Sequence, residues 1–577
     1  MSSQSISFRE LTDQEGGTAM SDFTYLENPR SIVRHRTGRR ALAAVSLVAC
    51  CLACSPAAPP GPPTVVAEGE QLQGAYVGDD SAEAEFLGIP YAAPPVGDLR
   101  WKPPAPITPR EGLQSATEFS PACIQGTNEN SFLSHIAKTL GQDPTQVPVL
   151  SSVSEDCLYL NVWTPNFGGD DLAPVMVWIH GGANVAGSAS EVMYNGANLA
   201  RQGVVVVTIN YRVNAFGLLA HPALTAESEH GSSGNYTLLD QIAALEWVKR
   251  NITAFGGDPG NVTVFGESAG AADINYLLVS PLAHGLFHRA VIESVGFSVA
   301  NYRSLEAAEA VGESFAEALG VAGSDDVLEA MRALPPEVLL RTWFTIKQVG
   351  ISAPNIDGWV LPDAPARIFE RGENIRVPLI IGFNTDEWTT LRHYWPNVTA
   401  DAFHGVLRSI YGPLADRAIE LYPVATDADA IPASDRWQTD WYFACPSKFV
   451  ADRMAQEGDP VYFYEFSRAV QAPGGELLGA YHAAELAFVW DNLAVETWAP
   501  REPYDQELAD TMSAAWVRFA ATGDPNGGDL PTWPLWDSDQ EEFLEFGDTV
   551  AAGSGVRTGG YCELFDELQA LWMGSGS

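Results

Sequence analysis

The sequence predicts an α/β protein with a large, mostly parallel central sheet flanked by helices. Short runs rich in Val and Ile alternate with helical stretches along most of the chain. Those runs are almost continuously apolar rather than alternating, which is the pattern of strands covered on both faces. At 577 residues and 46% hydrophobic content the chain can bury a large core, and nothing in it repeats at a solenoid or propeller period.

In chain order, a leader comes first. Arg39 and Arg40 precede "ALAAVSLVACCLACS", whose apolar stretch of roughly a dozen residues is short of the about 20 needed to span a membrane but suits a signal-peptide core. "LVAC", Leu47 to Cys50, reads as a bacterial lipobox in which Cys50 is acylated; Cys54 is a second candidate. The paired arginines also admit twin-arginine export. Residues 1–49 are therefore expected to be a leader, with Met20 an alternative start, and 50–66, including "SPAAPPGPPTVV", a Pro-rich tether. The expected location is outside the cytoplasm, as a cell-envelope lipoprotein or a secreted protein. A single domain is expected over 67–577.

Its strands are "PVMVWI" (174–179), "GVVVVTI" (203–209), "VTVF" (262–265), "RAVIES" (289–294), "VPLIIGF" (377–383) and "PVYFYEF" (460–466). "LLDQIAALEWVKRNI" between them repeats apolar residues at helical spacing. Charge narrows the partners: the formal net charge is −41, and Lys102, Lys138, Lys249, Lys347 and Lys448 are the only lysines. Such a surface repels nucleic acid and anionic lipid, so no nucleic-acid partner is expected, and membrane contact only through the N-terminal anchor. Outside the leader the cysteines are Cys123, Cys157, Cys445 and Cys562. An even number in an exported chain suggests disulfides, with three pairings open; zinc spacing is absent and no metal is expected.

The chemistry of open parallel sheets gathers at the C-terminal strand ends. After "VTVF", Gly266 and Gly270 flank Ser268 at a strand-to-helix junction, the pattern of a nucleophile elbow. After "PVMVWI" comes His180-Gly181-Gly182-Ala183, small residues that let backbone N–H groups approach a developing oxyanion. Asp386 and Glu387 follow "VPLIIGF", and adjacent side chains there point to opposite sides. With a triad ordered serine, acid, histidine, the base is His393, His404 or His482. His393 is very near the acid and His404 lies on a polar helical stretch, which leaves His482 in "GAYHAAELAFVW" as the choice.

From about residue 66 to about residue 570 the chain resembles the type-B carboxylesterase family, the α/β-hydrolase branch that includes cholinesterases and bacterial para-nitrobenzyl esterases. The stretches that carry the resemblance include "FLGIPYAAPPVGDLRWKPP" (86–104), "SEDCLYLNVWTP" (154–165), "NYRVNAFG" (210–217) and "NITAFGGDPGNVTVFGESAGA" (251–271). The resemblance implies an α/β-hydrolase fold with further helical regions around an active-site gorge. It implies Ser268 as the acylated nucleophile, Glu387 as the triad acid and His482 as the base. The oxyanion donors would be the N–H groups of Gly182, Ala183 and Ala269. It also implies Cys123–Cys157 and Cys445–Cys562 bridges, a small-molecule ester substrate and no cofactor. Two departures stand out. Asn184 occupies a position that is usually aromatic in the family, and the loop from Cys123 to Cys157 lacks the tryptophan on which cholinesterases pack choline. The expected function is a carboxylic-ester hydrolase working through an acyl-enzyme. The alternatives are a neuroligin-like binding module, which lacks a working triad, and a narrow hydrolase of polyester, carbamate or mycotoxin-like esters.

Overall fold

Alternate side chains of the strand Ala173–Ile179 enter different cores: Val175, Val177 and Ile179 join one apolar cluster, Met176 and Trp178 another. A strand with period two can do this only inside a sheet covered on both faces. The computed structural model describes residues 61–574 apart from 79–82, 127–130, 170, 296–302, 347–352, 393–394 and 396. The expected leader, Cys50 and Cys54 lie outside the described residues.

The central sheet has 11 strands. In chain order they are β1 (Ala75–Tyr76), β2 (Ala84–Pro90), β3 (Tyr159–Thr164), β4 (Ala173–Ile179), β5 (Val205–Ile209) and β6 (Gly257–Glu267). They continue as β7 (Arg289–Glu293), β8 (Leu379–Asn384), β9 (Val461–Phe466), β10 (Glu542–Phe546) and β11 (Val550–Ser554). Across the sheet the order is β11-β10-β9-β8-β7-β6-β4-β5-β3-β2-β1. Pairing is parallel from β5 through β10 and antiparallel at both margins. The expected fold class is the one observed. All six expected strands are present, and the marginal ones that went unread carry charged or polar residues such as Glu85, Asn161 and Glu545.

Helices α1 (Tyr236–Asn251), α2 (Ala269–Val279) and α3 (Cys445–Gln456) pack on one face, contributing Leu245, Ile274 and Phe449 among others. Helix α4 (Pro503–Thr522) covers the other with Met512, Trp516 and Phe519. Lys249 and Arg250 complement the carbonyl end of α1, and the chain leaves it through a short 3₁₀ turn closed by Gly256 in the left-handed region (φ 84°). Among the described residues no helix is long and apolar enough to cross a membrane.

The expected tether ends earlier than residue 66. Thr64–Ala67 is a strand paired antiparallel with Glu70–Gln73, burying Val65 and Ala67. The preceding proline run hides that short alternation from a sequence reading. Of the three open cysteine pairings the structure contains Cys123–Cys157 and Cys445–Cys562. The second joins the start of α3 to the C-terminal helix α5 (Tyr561–Gly574) across 117 residues. Replacing both Cys445 and Cys562 with Ala is expected to lower the unfolding free energy by about 2–5 kcal/mol, read by denaturant titration. The loss should exceed that for the Cys123–Cys157 pair, which closes only 34 residues.

Candidate active site

Strand β6 ends at Glu267 and α2 begins at Ala269, so the whole reversal falls on Ser268. Its backbone takes φ 56°, ψ −119°, a conformation that L-residues adopt only under constraint. A Cβ on Gly270 would lie 2.0 Å from the Ile179 carbonyl oxygen, and one on Gly266 would lie 2.6 Å from the same atom. The flanking glycines are therefore required by the end of β4, which passes directly against the turn.

Beyond Ile179 the chain makes a second strained turn. Gly182, Ala183 and Asn184 follow one another at φ 109°, 56° and 55°. Two supports hold this turn. The His180 ring stacks on Tyr211 with centroids 4.2 Å apart, and the Tyr211 hydroxyl donates to the His180 carbonyl. Gln125, from the Cys123–Cys157 loop, accepts from the Gly187 N–H at 2.8 Å and donates to its carbonyl at 2.7 Å. Burial pulls the His180 imidazole down to about 4, so it is neutral at neutral pH. Among the described residues the N–H groups of Gly182, Ala183 and Ala269 have no protein acceptor. These are the three sequence-predicted oxyanion donors.

His482 reaches the elbow from the loop after β9. Its Nε2 lies 2.8 Å from Ser268 Oγ, and its Nδ1 lies 2.6 Å from Glu387 Oε2. Glu387 is fully buried; its second oxygen accepts from Ser294 Oγ at 2.5 Å and from the Asn384 N–H at 2.8 Å. Asp386 takes the other side of the segment, accepting from Thr385 Oγ1 at 2.8 Å and from the Ala480 N–H at 3.0 Å. It steadies the loop that presents His482 without touching the ring. His404 sits on the helix Ala400–Tyr411, apart from these contacts, and His393 lies outside the described residues.

Ser294, Phe132 and Phe443 escaped the sequence reading, whereas Glu267, the residue before the nucleophile, is one that the family resemblance offers for tuning the histidine. Ser294 closes the predicted strand "RAVIES", and a polar residue at that strand end was the available signal. Phe132 and Phe443 flank the His482 ring, with centroids at 6.2 Å and 4.9 Å, and neither had one. Thus the loop that lacks tryptophan still supplies an aromatic ring. Glu267 Oε1 stands 3.2 Å from His482 Nε2. Burial first, then the charges of Glu387, Glu293 and Glu191, hold its carboxyl well above the ordinary range. Glu293 is shifted the same way by burial and Glu485, while Trp516 Nε1 donates to it at 2.7 Å. Such carboxyls keep their protons to higher pH than an exposed glutamate does. A separate cavity of about 290 Å³ is lined by Trp101, His230, Tyr236 and Trp359 and by none of Ser268, His482 and Glu387.

A family model described as the carboxylesterase family matches residues 61–561. The chain belongs to the carboxylesterase family. It is 37% identical to a fumonisin B1 esterase of Sphingopyxis macrogoltabida over 84% of this chain and 87% of that protein. It is 36% identical to the para-nitrobenzyl esterase of Bacillus subtilis (strain 168) over 80% of this chain and 90% of that one. A solved para-nitrobenzyl esterase structure superposes with a TM-score of 0.73 at 31% identity, covering 88% of this chain and all of the other. The protein is a serine carboxylesterase, a carboxylic-ester hydrolase of the α/β-hydrolase fold.

The elbow generates a stability prediction. Gly270→Ala forces a methyl group onto the Ile179 carbonyl, so backbone must move. The expected cost is about 3 kcal/mol, the upper range for overpacking, read as a lower urea midpoint with unchanged slope.

Proposed function

We propose that Ser268, His482 and Glu387 form the catalytic triad of this esterase and that Gly182, Ala183 and Ala269 form its oxyanion hole. The observation that carries the reading is the unbroken hydrogen-bond chain from Ser268 Oγ through both ring nitrogens of His482 to Glu387. His482 Nε2 takes the hydroxyl proton as Oγ attacks the ester carbonyl. The carbonyl oxygen becomes an oxyanion facing three N–H donors that need no reorganisation to receive it. As the tetrahedral intermediate collapses, His482 returns the proton to the departing alcohol and leaves an acyl-Ser268. Water, activated by the same imidazole, then releases the acid. Glu387 fixes the tautomer with the proton on Nδ1 and stabilises the imidazolium. Every step uses only side chains, backbone donors and water.

The substrate reading is an ester with a bulky or multifunctional partner. Likeness to a fumonisin B1 esterase and to para-nitrobenzyl esterases supports it, and Phe132 and Phe443 beside His482 offer apolar contact. The neuroligin-like alternative is disfavoured because the serine–histidine–glutamate chain is intact. We also propose that the protein is exported and anchored through an acylated Cys50. The "LVAC" motif supports this, as do disulfides that persist in oxidising compartments. Peptide mapping of the envelope-bound protein should find Cys50 acylated at the N-terminus; a free chain cleaved beyond Cys54 overturns the anchor.

Ser268→Ala is expected to abolish ester hydrolysis and organophosphonate labelling while leaving the unfolding curve unchanged. Labelling that maps by mass spectrometry to another serine refutes the assignment. For the acid, Glu387→Gln should lower kcat by about 10³–10⁴ with little change in KM, because the imidazole loses its orienting carboxylate. Asp386→Asn should cost less than about tenfold, and the reversed result would make Asp386 the triad acid.

A further inference from the structure

Asn184 replaces the residue that the resemblance makes aromatic, and the structure gives it a task. It is buried at 3% exposure, and its Nδ2 donates to Asp273 Oδ1 at 2.9 Å. Asp273 is fully buried on α2, four residues beyond Ala269 and hence on the same face of that helix. Its other oxygen accepts from Gln241 Nε2 of α1 at 2.6 Å. Asp273 has no ion-pair partner among the described residues. Burial pushes its carboxyl up to about 7, while the Asn184 and Gln241 amides pull it back.

A buried carboxyl without a counter-charge is costly to ionise, and the two amides that donate to it offset part of that cost. Its position is what distinguishes it. Gly182 and Ala183 bring their donors from the turn after β4, whereas Ala269 brings its own from the first residue of α2. These are separate segments of chain. Asn184 adjoins the first pair and Asp273 lies one helical turn from the third donor. The Asn184 backbone carbonyl is anchored as well, accepting the Asn214 N–H at 2.6 Å.

We propose that Asp273 is a positioning residue that, through Asn184, holds the two segments of the oxyanion hole in register. The inference rests on the oxyanion assignment above and extends it to a pair of residues outside the triad. Misplacement of a catalytic group by about 1 Å can cost about 10²-fold in rate, and loss of one oxyanion donor about 10²–10³-fold. Loosening the tether should fall somewhat below these values, because the strained turn keeps its other supports.

The test is a set of purified full-length variants assayed on a para-nitrophenyl ester. Asp273→Leu fills the same space but strands the buried Asn184 and Gln241 amide donors, so its urea midpoint should fall, and it is assayed well below its unfolding transition. Its kcat is expected to fall by about 10–100-fold, with KM changed less than about threefold. Affinity for a trifluoromethyl ketone, which forms the tetrahedral oxyanion adduct, should fall by a similar factor. Asn184→Ala should give the same losses, and the double variant no more than either alone. Asp273→Asn can still accept from Asn184, and once the Gln241 side-chain amide turns over it can donate to Gln241 Oε1, which has no hydrogen-bond partner among the described residues. It should restore kcat to within about threefold of the wild type. The proposal fails if Asp273→Leu keeps wild-type kcat, if its loss falls on KM, or if the two single losses multiply. It also fails if Asp273→Asn is as impaired as Asp273→Leu. Phosphonate labelling of wild-type protein separates the readings: absence of a Ser268 adduct sinks the proposed function itself. With Ser268 labelled, unchanged kinetics in Asp273→Leu sinks only the tether.

Discussion

The Ile179 carbonyl oxygen sits where a side chain on Gly270 would have to begin, and the active site is organised around that contact. It brings the end of β4 against the β6–α2 junction, so the strained serine and the strained glycine-rich turn occupy one small volume. Neither turn is favourable alone, since each holds non-glycine residues at positive φ. They are held by parallel pairing of β4 with β6, which fixes Phe265 opposite Trp178 and Gly266 opposite Ile179. Behind the pair, Trp178 packs on Phe265 and Trp490 with ring centroids near 5 Å. The local strain is balanced by a well-packed core on the face away from α2.

The same compactness creates an electrostatic problem. Glu191, Glu267, Glu293 and Glu485 are buried around Glu387, burial raises each of the four, and among the described residues no arginine or lysine pairs with any of the five. Several carboxylates cannot all be ionised in so little dielectric. Hydrogen bonding is distributed unequally among them. Glu387 receives donors on both oxygens, from His482, Ser294 and Asn384, whereas one oxygen each of Glu293 and Glu485 has no hydrogen-bond partner among the described residues. At the surface the negative charge is a different matter, because hydrated carboxylates there cost little and favour solubility.

Two buried or part-buried ion pairs, Arg212–Asp240 and Arg100–Glu155, involve none of the residues around Ser268 and brace the frame. Arg212 and Asp240 form a buried, doubly hydrogen-bonded pair, and Arg100 makes a doubly hydrogen-bonded, part-buried pair with Glu155 beside the Cys123–Cys157 bridge. Removing one member would strand the other's charge in the interior. The loop that carries Gln125 and Phe132 to the site is thus held by a covalent bond at its base and by an ion pair next to it.

Much of this protein was legible in the linear chain. The continuous apolar runs are strands because a parallel strand must bury both faces, and the helix spacing of residues 236–251 follows from the same core. The glycines around Ser268 announced a tight reversal, since only a close approach explains two absent side chains. Other features were decided by contacts between segments far apart in sequence, for which a single chain carries no local signal. The choice of Glu387 over Asp386 came from family resemblance; geometry assigns the carboxylate beside Nδ1 because His482 arrives 95 residues later on one side of that segment. Ser294, Phe132 and Phe443 look like ordinary strand, loop and helix residues until the sheet order brings them to the imidazole. The cysteine pairing depends on which loops meet, and the partnership of Asn184 with Asp273 on how β4 crosses α2. Periodicity records what each residue needs from its neighbours in sequence, whereas register and crossing order determine what it meets in space.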